Sequence, residues 1–243
     1  MNAFDLHGKT ILLTGASSGL GKQSALTLSQ YGANLIITGR DQKRLQQTFD
    51  LLEGSGHEQV VADLSKEEDV QKLSSGLPKI HGVLYSVGVS SIVPAAFLQK
   101  EEIEKVFDTN FKNILYLNTA LLRQKKFEKA ASILFISTIS AKYPYVGGSL
   151  YVSAKTALEG YARVLALELA KKKIRVNCLR PAFVKGSMLQ ETREQLSEEV
   201  IKQIDKKQPL GLGEAVDVAN TVVFFMSDAS KWITGTNLVL GGG

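Results

Sequence analysis

Hydrophobic residues recur along the chain in two alternating spacings. Short apolar runs rich in β-branched residues are typical of strands buried on both faces. They predict strands at Thr10–Leu13, Leu35–Thr38, Gln59–Val61, Val83–Tyr85, Ser132–Ile136, Ile174–Leu179 and Asn237–Leu240. Longer segments with helical spacing lie between them. The strongest of these are Leu20–Tyr31, Glu101–Arg123, Leu150–Ala170 and Ala215–Ser227.

The alternation of buried strands with helices predicts an α/β fold with a parallel sheet covered by helices on both faces. Right-handed crossovers then make it a doubly wound, Rossmann-type fold of about seven strands. A length of 243 residues favours one domain over residues 1–243. Ligands of such folds bind beyond the carboxyl ends of the strands, so we examined the residues that follow each strand.

Composition and charge narrow the classes of function. Hydrophobic residues make up 44% of the chain, yet no apolar run approaches the roughly 20 residues needed to span a bilayer. The first residues lack a basic start followed by an apolar stretch, so we expect no secretory signal and no membrane partner. The net charge of +5 is carried by dispersed residues, which argues against a nucleic-acid partner. An anionic cofactor or an acidic carrier protein would suit this charge.

The cysteine and histidine content predicts neither disulfides nor a metal site. The single cysteine, Cys178, fits a reducing cytoplasmic location, and its apolar segment predicts a buried structural thiol. The histidines His7, His57 and His81 are dispersed without ligand spacing, so we expect no metal.

A glycine-rich turn follows the first predicted strand and opens a helix, in the sequence Thr14-Gly15-Ala16-Ser17-Ser18-Gly19-Leu20-Gly21. Gly15 permits a sharp turn, Gly19 lets a ligand approach the backbone, and Gly21 lets the helix pack closely on the strand. The free N–H groups and the positive end of the helix dipole would then face a phosphate. Such turns are often only tight loops, but this position favours nucleotide binding.

Two residues at later strand ends bear on the kind of nucleotide. Gly39 and Arg40 follow the second strand, where Arg40 could bind a 2′-phosphate or could be an ordinary solvated charge. Asp63 follows the third strand, and it could accept from an adenine amino group or cap the next helix.

Tyr151 and Lys155 lie four residues apart near the start of a predicted helix, so both side chains leave the same face. A free tyrosine, with a pKa near 10, is a poor base at neutral pH, and a nearby ammonium would favour the phenolate. A surface packing pair is the alternative, because this spacing is common by chance.

Together these motifs resemble the short-chain dehydrogenase/reductase family, and the resemblance extends from Lys9 to Gly242. Its motifs are matched by Thr14, Gly15, Gly19 and Gly21, by Asp63-Leu64, by Asn110, by Tyr151 and Lys155, and by the tail Ile233–Val239. The resemblance implies an NADP(H)-dependent oxidoreductase that interconverts a carbonyl and an alcohol. Its implied catalytic residues are Asn110, Thr138, Tyr151 and Lys155.

The family also implies a division of labour among these residues. The tyrosine exchanges a proton with the substrate oxygen, the lysine lowers the tyrosine pKa and binds ribose, a hydroxyl polarises the carbonyl, and the asparagine holds a water. Residues expected to bind NADP(H), in preference to NAD(H), are Gly15, Ser17, Ser18, Gly19, Leu20, Gly21, Arg40, Asp63, Leu64, Gly88, Tyr151, Lys155, Pro181 and Val184.

Four positions depart from the family pattern. The usual catalytic serine is Thr138, with Ser140 as the fallback donor and Ser137 expected to be structural. The usual Asn-Ala-Gly reads Ser86-Val87-Gly88, the usual Pro-Gly reads Pro181-Ala182, and an expected threonine is Gly186, for which Ser187 could substitute. All four departures concern the nicotinamide and substrate end of the site.

The segment near 186–210 is expected to form a short substrate lid, with a plain solvated helix as the alternative. Phe183 and Met188, besides Ser140, are candidate substrate contacts. The helices around Asn110 and Tyr151 carry surplus apolar residues, although part of that surplus could be core. The family resemblance implies that these helices form a dimer face and that tetramers are frequent, so we expect a homodimer or homotetramer. The surplus residues are Ile114, Leu117, Leu121, Leu158, Leu165 and Leu169.

Three functions fit the pattern to different degrees. A small-molecule carbonyl or alcohol substrate is expected, with a carrier-bound 3-oxoacyl group as one specific candidate beside sugars and other carbonyls. A nucleotide-binding sensor or scaffold would explain the altered nicotinamide end, but it would not need Asn110, Tyr151 and Lys155. A nucleotide-sugar epimerase would be expected to have a different glycine spacing and a longer substrate domain.

Overall fold

A parallel sheet organises the part of the chain that the computed structural model describes, which is residues 2–194, 198 and 208–241. Within those residues, seven strands pair in the order β3-β2-β1-β4-β5-β6-β7, and every pairing is parallel. The strands are β1 Thr10–Thr14, β2 Asn34–Gly39, β3 Glu58–Val61, β4 Ile80–Tyr85, β5 Phe127–Ile136, β6 Arg175–Pro181 and β7 Asn237–Leu240.

Helices connect the strands and cover both faces. They are α1 Gly19–Gln30, α2 Gln42–Phe49, α3 Glu67–Gly76, α4 Lys100–Phe107, α5 Asn113–Arg123, α6 Ser149–Leu169, α7 Ser187–Glu194 and α8 Ala215–Met226. A π-helical turn, Asp108–Lys112, joins α4 to α5. Short 3₁₀ turns lie at Ala95–Phe97, Ile139–Ala141, Ala170–Lys172 and Asp228–Ser230.

The two faces of the sheet bury separate apolar cores because successive side chains of a strand point to opposite faces. Leu12 of β1 packs into a core with apolar residues of α3, α5 and α6. Its neighbours Ile11 and Leu13 pack into the other core, with residues of α1, α2 and α8. The doubly wound α/β fold predicted from the hydrophobic pattern is therefore confirmed.

Several predicted boundaries were wrong. The helix predicted over Glu101–Arg123 is interrupted by the π-helical turn, and β5 begins at Phe127, before an irregularity in its pairing with β4. The helices α2 and α3 were not among the strong candidates, because each buries only two or three side chains and is polar elsewhere.

The six residues proposed as surplus for an oligomer interface belong to the interior of this chain. Ile114, Leu117, Leu121, Leu158, Leu165 and Leu169 are all buried in the core on the α3, α5 and α6 side. They therefore provide no argument for an interface, and the alternative that they are core is correct. On the same helices Tyr116, Val164 and Leu167 are exposed.

The sheet order places a change of winding direction between β1 and β4. Chain segments leaving these two strands turn to opposite sides, which opens a crevice at the carboxyl edge of the sheet. The glycine turn, Arg40, Asp63, Gly88 and Thr138 follow strands at this edge, and Pro181 is the last residue of β6 there. Among the described helices, none is long and apolar enough to cross a membrane.

Candidate active site

The turn after β1 packs so tightly that a side chain at two of its glycines would collide with backbone. Gly15 has a φ of +71°, and a Cβ there would lie 2.9 Å from the carbonyl oxygen of Ser86. A Cβ at Gly21 would lie 2.1 Å from the carbonyl oxygen of Gly15. The close packing expected of Gly21 is therefore observed, and Gly15 brings the turn against the segment that follows β4.

The N-terminus of α1 presents its first N–H groups without a side-chain cap. Ser18 is the N-cap residue, its side chain makes no capping hydrogen bond, and the first turn has no acidic residue. Ser18 and Gly19 are exposed, while Leu20 is half-buried and packs on the apolar core below. An uncapped, exposed helix N-terminus has the charge and the donors to hold a phosphate.

Ser17 adds a second observation that fits a bound polar group. Within the described residues its Oγ is buried and has no hydrogen-bond partner, and the same holds for Thr38 Oγ1. A Cβ at Gly39 would lie 2.3 Å from Ser17 Oγ, so a side chain there would displace this hydroxyl. Buried hydroxyls without partners are costly, which indicates that a ligand satisfies them. The turn therefore fits the nucleotide part of a nicotinamide cofactor.

Arg40 and Asp63 lie near each other at the outer part of the crevice. Arg40 is exposed, and its charge is one of the influences that lower the pKa of Asp63, after the hydrogen bonds from Ser65 and the charge of Lys66. The hypothesis that Asp63 caps the next helix is wrong, because the N-cap residue of α3 is Lys66. Asp63 instead accepts from the Ser65 backbone N–H at 3.0 Å and from its hydroxyl at 2.7 Å. Leu64 is half-buried against the core.

Asn110 is fully buried in the π-helical turn and holds the segment after β4. Its Nδ2 donates to the carbonyl oxygens of Val89 at 3.0 Å and Val106 at 2.9 Å, and its Oδ1 accepts from the Val89 N–H at 3.2 Å. The π turn makes this possible by turning the side chain out of the regular helical ladder, a local irregularity frequent at functional sites.

Gly88 lies where Asn110 and Lys155 meet. A Cβ at Gly88 would be 2.9 Å from Asn110 Oδ1 and 3.1 Å from Lys155 Nζ. These two side chains thus face the same small space beside the β4 segment. The absence of a side chain at Gly88 keeps this space open.

Lys155 is almost fully buried, and its ammonium donates to two main-chain carbonyls. Its Nζ lies 3.0 Å from the Ile136 carbonyl oxygen and 3.4 Å from that of Val87. Burial lowers the pKa of Lys155 to about 8. The side chain therefore connects the ends of β4 and β5 to helix α6.

Tyr151 lies one helical turn before Lys155 and is half-buried. Burial, followed by the neighbouring Tyr145, raises the pKa of Tyr151 to about 12, while the Thr138 side chain opposes the rise. Lys155 is not among the groups that shift this pKa. At neutral pH the phenol is protonated, which is the form of an acid rather than of a base.

Of the two candidate hydroxyl residues, Thr138 and not Ser140 has a side chain that influences the pKa of Tyr151. Thr138 is buried directly after β5, and its Oγ1 accepts from the Ser140 backbone N–H at 3.2 Å. Ser140 is buried in the following 3₁₀ turn. Ser137 donates through its hydroxyl to Glu159 at 2.6 Å, which agrees with the structural role expected for it.

Sequence reasoning missed Glu159. It lies four residues beyond Lys155 on α6, is buried, and accepts hydrogen bonds from Arg180 and Asn237 as well as Ser137. A sequence signal for it exists, because Glu159 follows Lys155 at the same interval of four that separates Lys155 from Tyr151. This spacing predicts a third polar side chain on the same helix face.

The residues after β6 border the site on its other side. Pro181 is buried at the end of β6, and Val184 is half-buried and forms an isolated bridge with Gly213. Phe183 is half-buried, whereas Met188 is 43% exposed at the start of α7. The expected lid spans 186–210, of which 195–197 and 199–207 lie outside the described residues, so the lid stays a prediction.

A cleft of about 390 Å³ adjoins the start of α6. Apolar and glycine residues line most of it, among them Pro94, Tyr145, Gly148 and Val152. A volume of this size is within the range of small-molecule sites. Tyr151 is not one of the residues that line the cleft, but it directly precedes Val152, which does.

Cys178 and the histidines are accounted for by structure. Cys178 is fully buried, as predicted, and burial raises the pKa of its thiol to about 12. His57 and His81 accept backbone hydrogen bonds from Leu35 and Thr10. No cluster of potential metal ligands occurs within the described residues.

Comparison with known proteins yields matches along the whole chain. A family described as enoyl-(acyl carrier protein) reductase matches residues 15–243. The 3-oxoacyl-[acyl-carrier-protein] reductase FabG of Rickettsia felis is 32% identical over 240 residues, which cover 98% of each chain. Dehydrogenase/reductase SDR family member 4 of Homo sapiens is 33% identical over 248 residues, covering 98% of this chain and 88% of that protein.

Two solved structures with similar folds are also named as short-chain dehydrogenases/reductases. A short chain dehydrogenase/reductase family protein superposes with a TM-score of 0.86 at 29% identity, covering 98% of both chains. A short-chain type dehydrogenase/reductase from Mycobacterium ulcerans gives a TM-score of 0.88 at 26% identity, covering 97% of this chain and 89% of that one.

Proposed function

The chain belongs to the short-chain dehydrogenase/reductase family and is an NAD(P)-dependent enzyme acting on CH–OH groups, and from this we propose that it is an NADP(H)-dependent carbonyl reductase with Tyr151 as its acid. The observation that carries this proposal is the grouping of three side chains: Tyr151, the buried Thr138 that opposes the rise of the Tyr151 pKa, and the buried ammonium of Lys155 one helical turn away. A protonated phenol beside a second hydroxyl is what reduction of a carbonyl requires.

Each of four side chains has its own role in the proposed reaction. When bound, the nicotinamide cofactor supplies the hydride that reduces the carbonyl carbon. Tyr151 gives its proton to the carbonyl oxygen, and Thr138 donates a hydrogen bond to the same oxygen as negative charge develops on it. Lys155 stabilises the phenolate that Tyr151 becomes and binds the nicotinamide ribose. Asn110 fixes the chain at Val89, and a water held there would return a proton to the site.

Preference for NADP(H) rests on the end of β2. Arg40 is exposed at that strand end, and Gly39 leaves room beside Ser17. An arginine offers a planar set of donors to a 2′-phosphate, and no carboxylate replaces it at this position to accept from a free ribose hydroxyl.

A 3-oxoacyl group carried on an acyl carrier protein is the proposed substrate. The relative from Rickettsia felis is named for this activity. The cleft beside α6 has the apolar lining that a short acyl chain needs, and the net charge of +5 suits an acidic carrier. The matched family carries the name of an enoyl reductase, so reduction of a C=C bond is the second candidate.

The test is NADPH oxidation by the purified protein with acetoacetyl and crotonyl thioesters, measured beside Tyr151→Phe. We expect turnover of the acetoacetyl thioester and a loss of roughly two to three orders of magnitude in the variant, with NADPH binding intact. Equal turnover in both proteins would remove Tyr151 from the mechanism. Turnover of the crotonyl thioester alone would favour the enoyl reductase, and NADPH binding without turnover of any carbonyl would favour a sensor.

We further propose that the chain is a cytoplasmic homodimer or homotetramer. Tyr116 on α5 and Val164 and Leu167 on α6 are large apolar residues exposed on neighbouring helices. Large apolar side chains exposed on a protein surface are frequent at interfaces between subunits. Sedimentation at micromolar concentration tests this, and a monomer would contradict it.

A further inference from the structure

Glu159 connects four elements that border the proposed site. Its Oε1 accepts from Ser137 Oγ at 2.6 Å and from Arg180 Nε at 2.7 Å. Its Oε2 accepts from Arg180 Nη2 at 2.5 Å and from Asn237 Nδ2 at 3.1 Å. These partners belong to the segment after β5, to β6 and to β7, whereas Glu159 itself belongs to α6.

The burial of this group sets it apart from the surface ion pairs. The Glu159 side chain is 2% exposed and that of Arg180 is 18% exposed. A carboxylate this deeply buried is tolerated only with a full set of hydrogen bonds, and Glu159 has four donors. Paired guanidinium and carboxylate groups of this kind fix geometry because the Arg fork is planar and rigid.

Three residues of α6, each four positions from the next, face the segment at the end of β5. Lys155 donates to the carbonyl oxygen of Ile136, Glu159 accepts from the hydroxyl of Ser137, and Tyr151 lies near enough to Thr138 for that side chain to influence its pKa. Of the three, Glu159 is the one that also bonds to Arg180 in β6. Arg180 directly precedes Pro181, which we expect beside the nicotinamide.

We propose that Glu159 is a positioning residue that fixes the distance between Tyr151 and Thr138 by locking α6 to the ends of β5 and β6. The inference rests on the proposed Tyr151 chemistry. Glu159 touches neither substrate nor cofactor, and its effect passes through Ser137 to Thr138 and through Arg180 to Pro181. Loss of the lock should therefore reduce the rate of the chemical step more than substrate binding, since small misplacements of reacting groups are costly.

The experiment compares two changes with a control. Ser137→Ala removes one tie and leaves the ion pair intact. Glu159→Leu with Arg180→Leu replaces the buried pair by apolar residues, a change that proteins often tolerate without loss of stability. Asp228→Asn is the control, because it breaks the Lys9–Asp228 ion pair (2.6 Å) at the amino edge of the sheet.

We expect kcat for the acetoacetyl thioester to fall about tenfold or more in the double variant and by less in Ser137→Ala, with KM and NADPH affinity little changed. The control should keep wild-type kcat. In cofactor-free protein, hydrogen exchange of the segment 136–141 should become faster in the double variant while that of β1 is unchanged. Exchange that rises everywhere would indicate a merely structural role and overturn the proposal.

The outcomes separate this inference from the proposed function. Tyr151→Phe could be inactive while Ser137→Ala and the Glu159→Leu, Arg180→Leu double variant keep wild-type kcat and wild-type exchange of 136–141. In that case the positioning role of Glu159 is wrong and the proposed reductase activity is retained. If the wild-type protein turns over no carbonyl, the proposed function fails, and the exchange measurement alone decides whether Glu159 holds the end of β5.

Discussion

The ammonium of Lys155 lies 3.0 Å from the carbonyl oxygen of Ile136, the last residue of β5. Thr138, which carries the proposed catalytic hydroxyl, follows two residues later. The Lys155 nitrogen also reaches the Val87 carbonyl at 3.4 Å. These carbonyl oxygens partly replace water around the charge. Burial nevertheless costs more than they return, because the pKa of Lys155 is lowered to about 8.

That lowered pKa predicts an alkaline loss of cofactor affinity. The ammonium is present below pH about 8 and is lost as the pH rises through that value. Tyr151, with a pKa raised to about 12, stays protonated throughout the same range and does not contribute. We therefore expect NADPH affinity, measured by fluorescence titration from pH 6 to 10, to weaken above about pH 8.

Lys155→Met is the matched control for this titration. The variant should bind NADPH weakly but with no alkaline limb, because methionine keeps the length of the chain and has no charge to lose. The same limb in Lys155→Met would assign it to another group. Circular dichroism at each pH distinguishes a loss of binding from unfolding.

The hydroxyl that polarises the substrate is predicted to be that of Thr138. Thr138→Val keeps the shape of the side chain and removes the donor, so kcat should fall about 100-fold or more. Thr138→Ser keeps the hydroxyl and should retain most activity. Ser140→Ala should change kcat little, because its backbone N–H, which bonds to Thr138 Oγ1, is kept. A larger loss in Ser140→Ala than in Thr138→Val would reverse the assignment.

The sequence predicted the carboxyl edge of the sheet well because the chemistry there follows local rules. The glycine turn, the strand ends and the spacing of Tyr151 and Lys155 are all short-range patterns. The apolar runs identified the strands for the same reason, since continuous runs are typical of strands buried on both faces.

Features that depend on distant contacts could not be read in this way. The choice between Thr138 and Ser140 depends on where the 3₁₀ turn directs each side chain, and the role of Glu159 depends on Arg180 and Asn237, 21 and 78 residues away. The pKa of Tyr151 also escaped prediction, because its largest influence is burial, which is a property of the packed structure. Ile114 and Leu165 were assigned to an interface for a similar reason, since helical spacing cannot separate core from subunit contact.

Gly88 offers a test of the space between Asn110 and Lys155. In Gly88→Ala the new methyl would lie 2.9 Å from Asn110 Oδ1, and three hydrogen bonds of the Asn110 amide hold that side chain in place. We expect a folded protein whose kcat/KM falls about tenfold or more, because Lys155 or Asn110 must move. The control is Gly160→Ala on α6, where a Cβ has nothing within 4 Å and the substitution should stabilise the helix by about 0.5–1 kcal/mol. Equal kcat/KM in Gly88→Ala and wild type would show that the space is not needed.

If Arg40 binds the 2′-phosphate, it determines the preference for NADPH over NADH. Arg40→Asp should weaken NADPH binding about tenfold or more and spare NADH, because the new carboxylate repels the phosphate and can accept from a free ribose hydroxyl. Since Arg40 also lies near Asp63, the substitution brings two carboxylates together, and thermal unfolding must be measured alongside binding. Lys79→Asp changes the net charge equally at the opposite edge of the sheet, before β4, and should leave both affinities unchanged. If Arg40→Asp weakens NADPH and NADH alike, the effect is on the shared part of the nucleotide, and the preference must come from another residue.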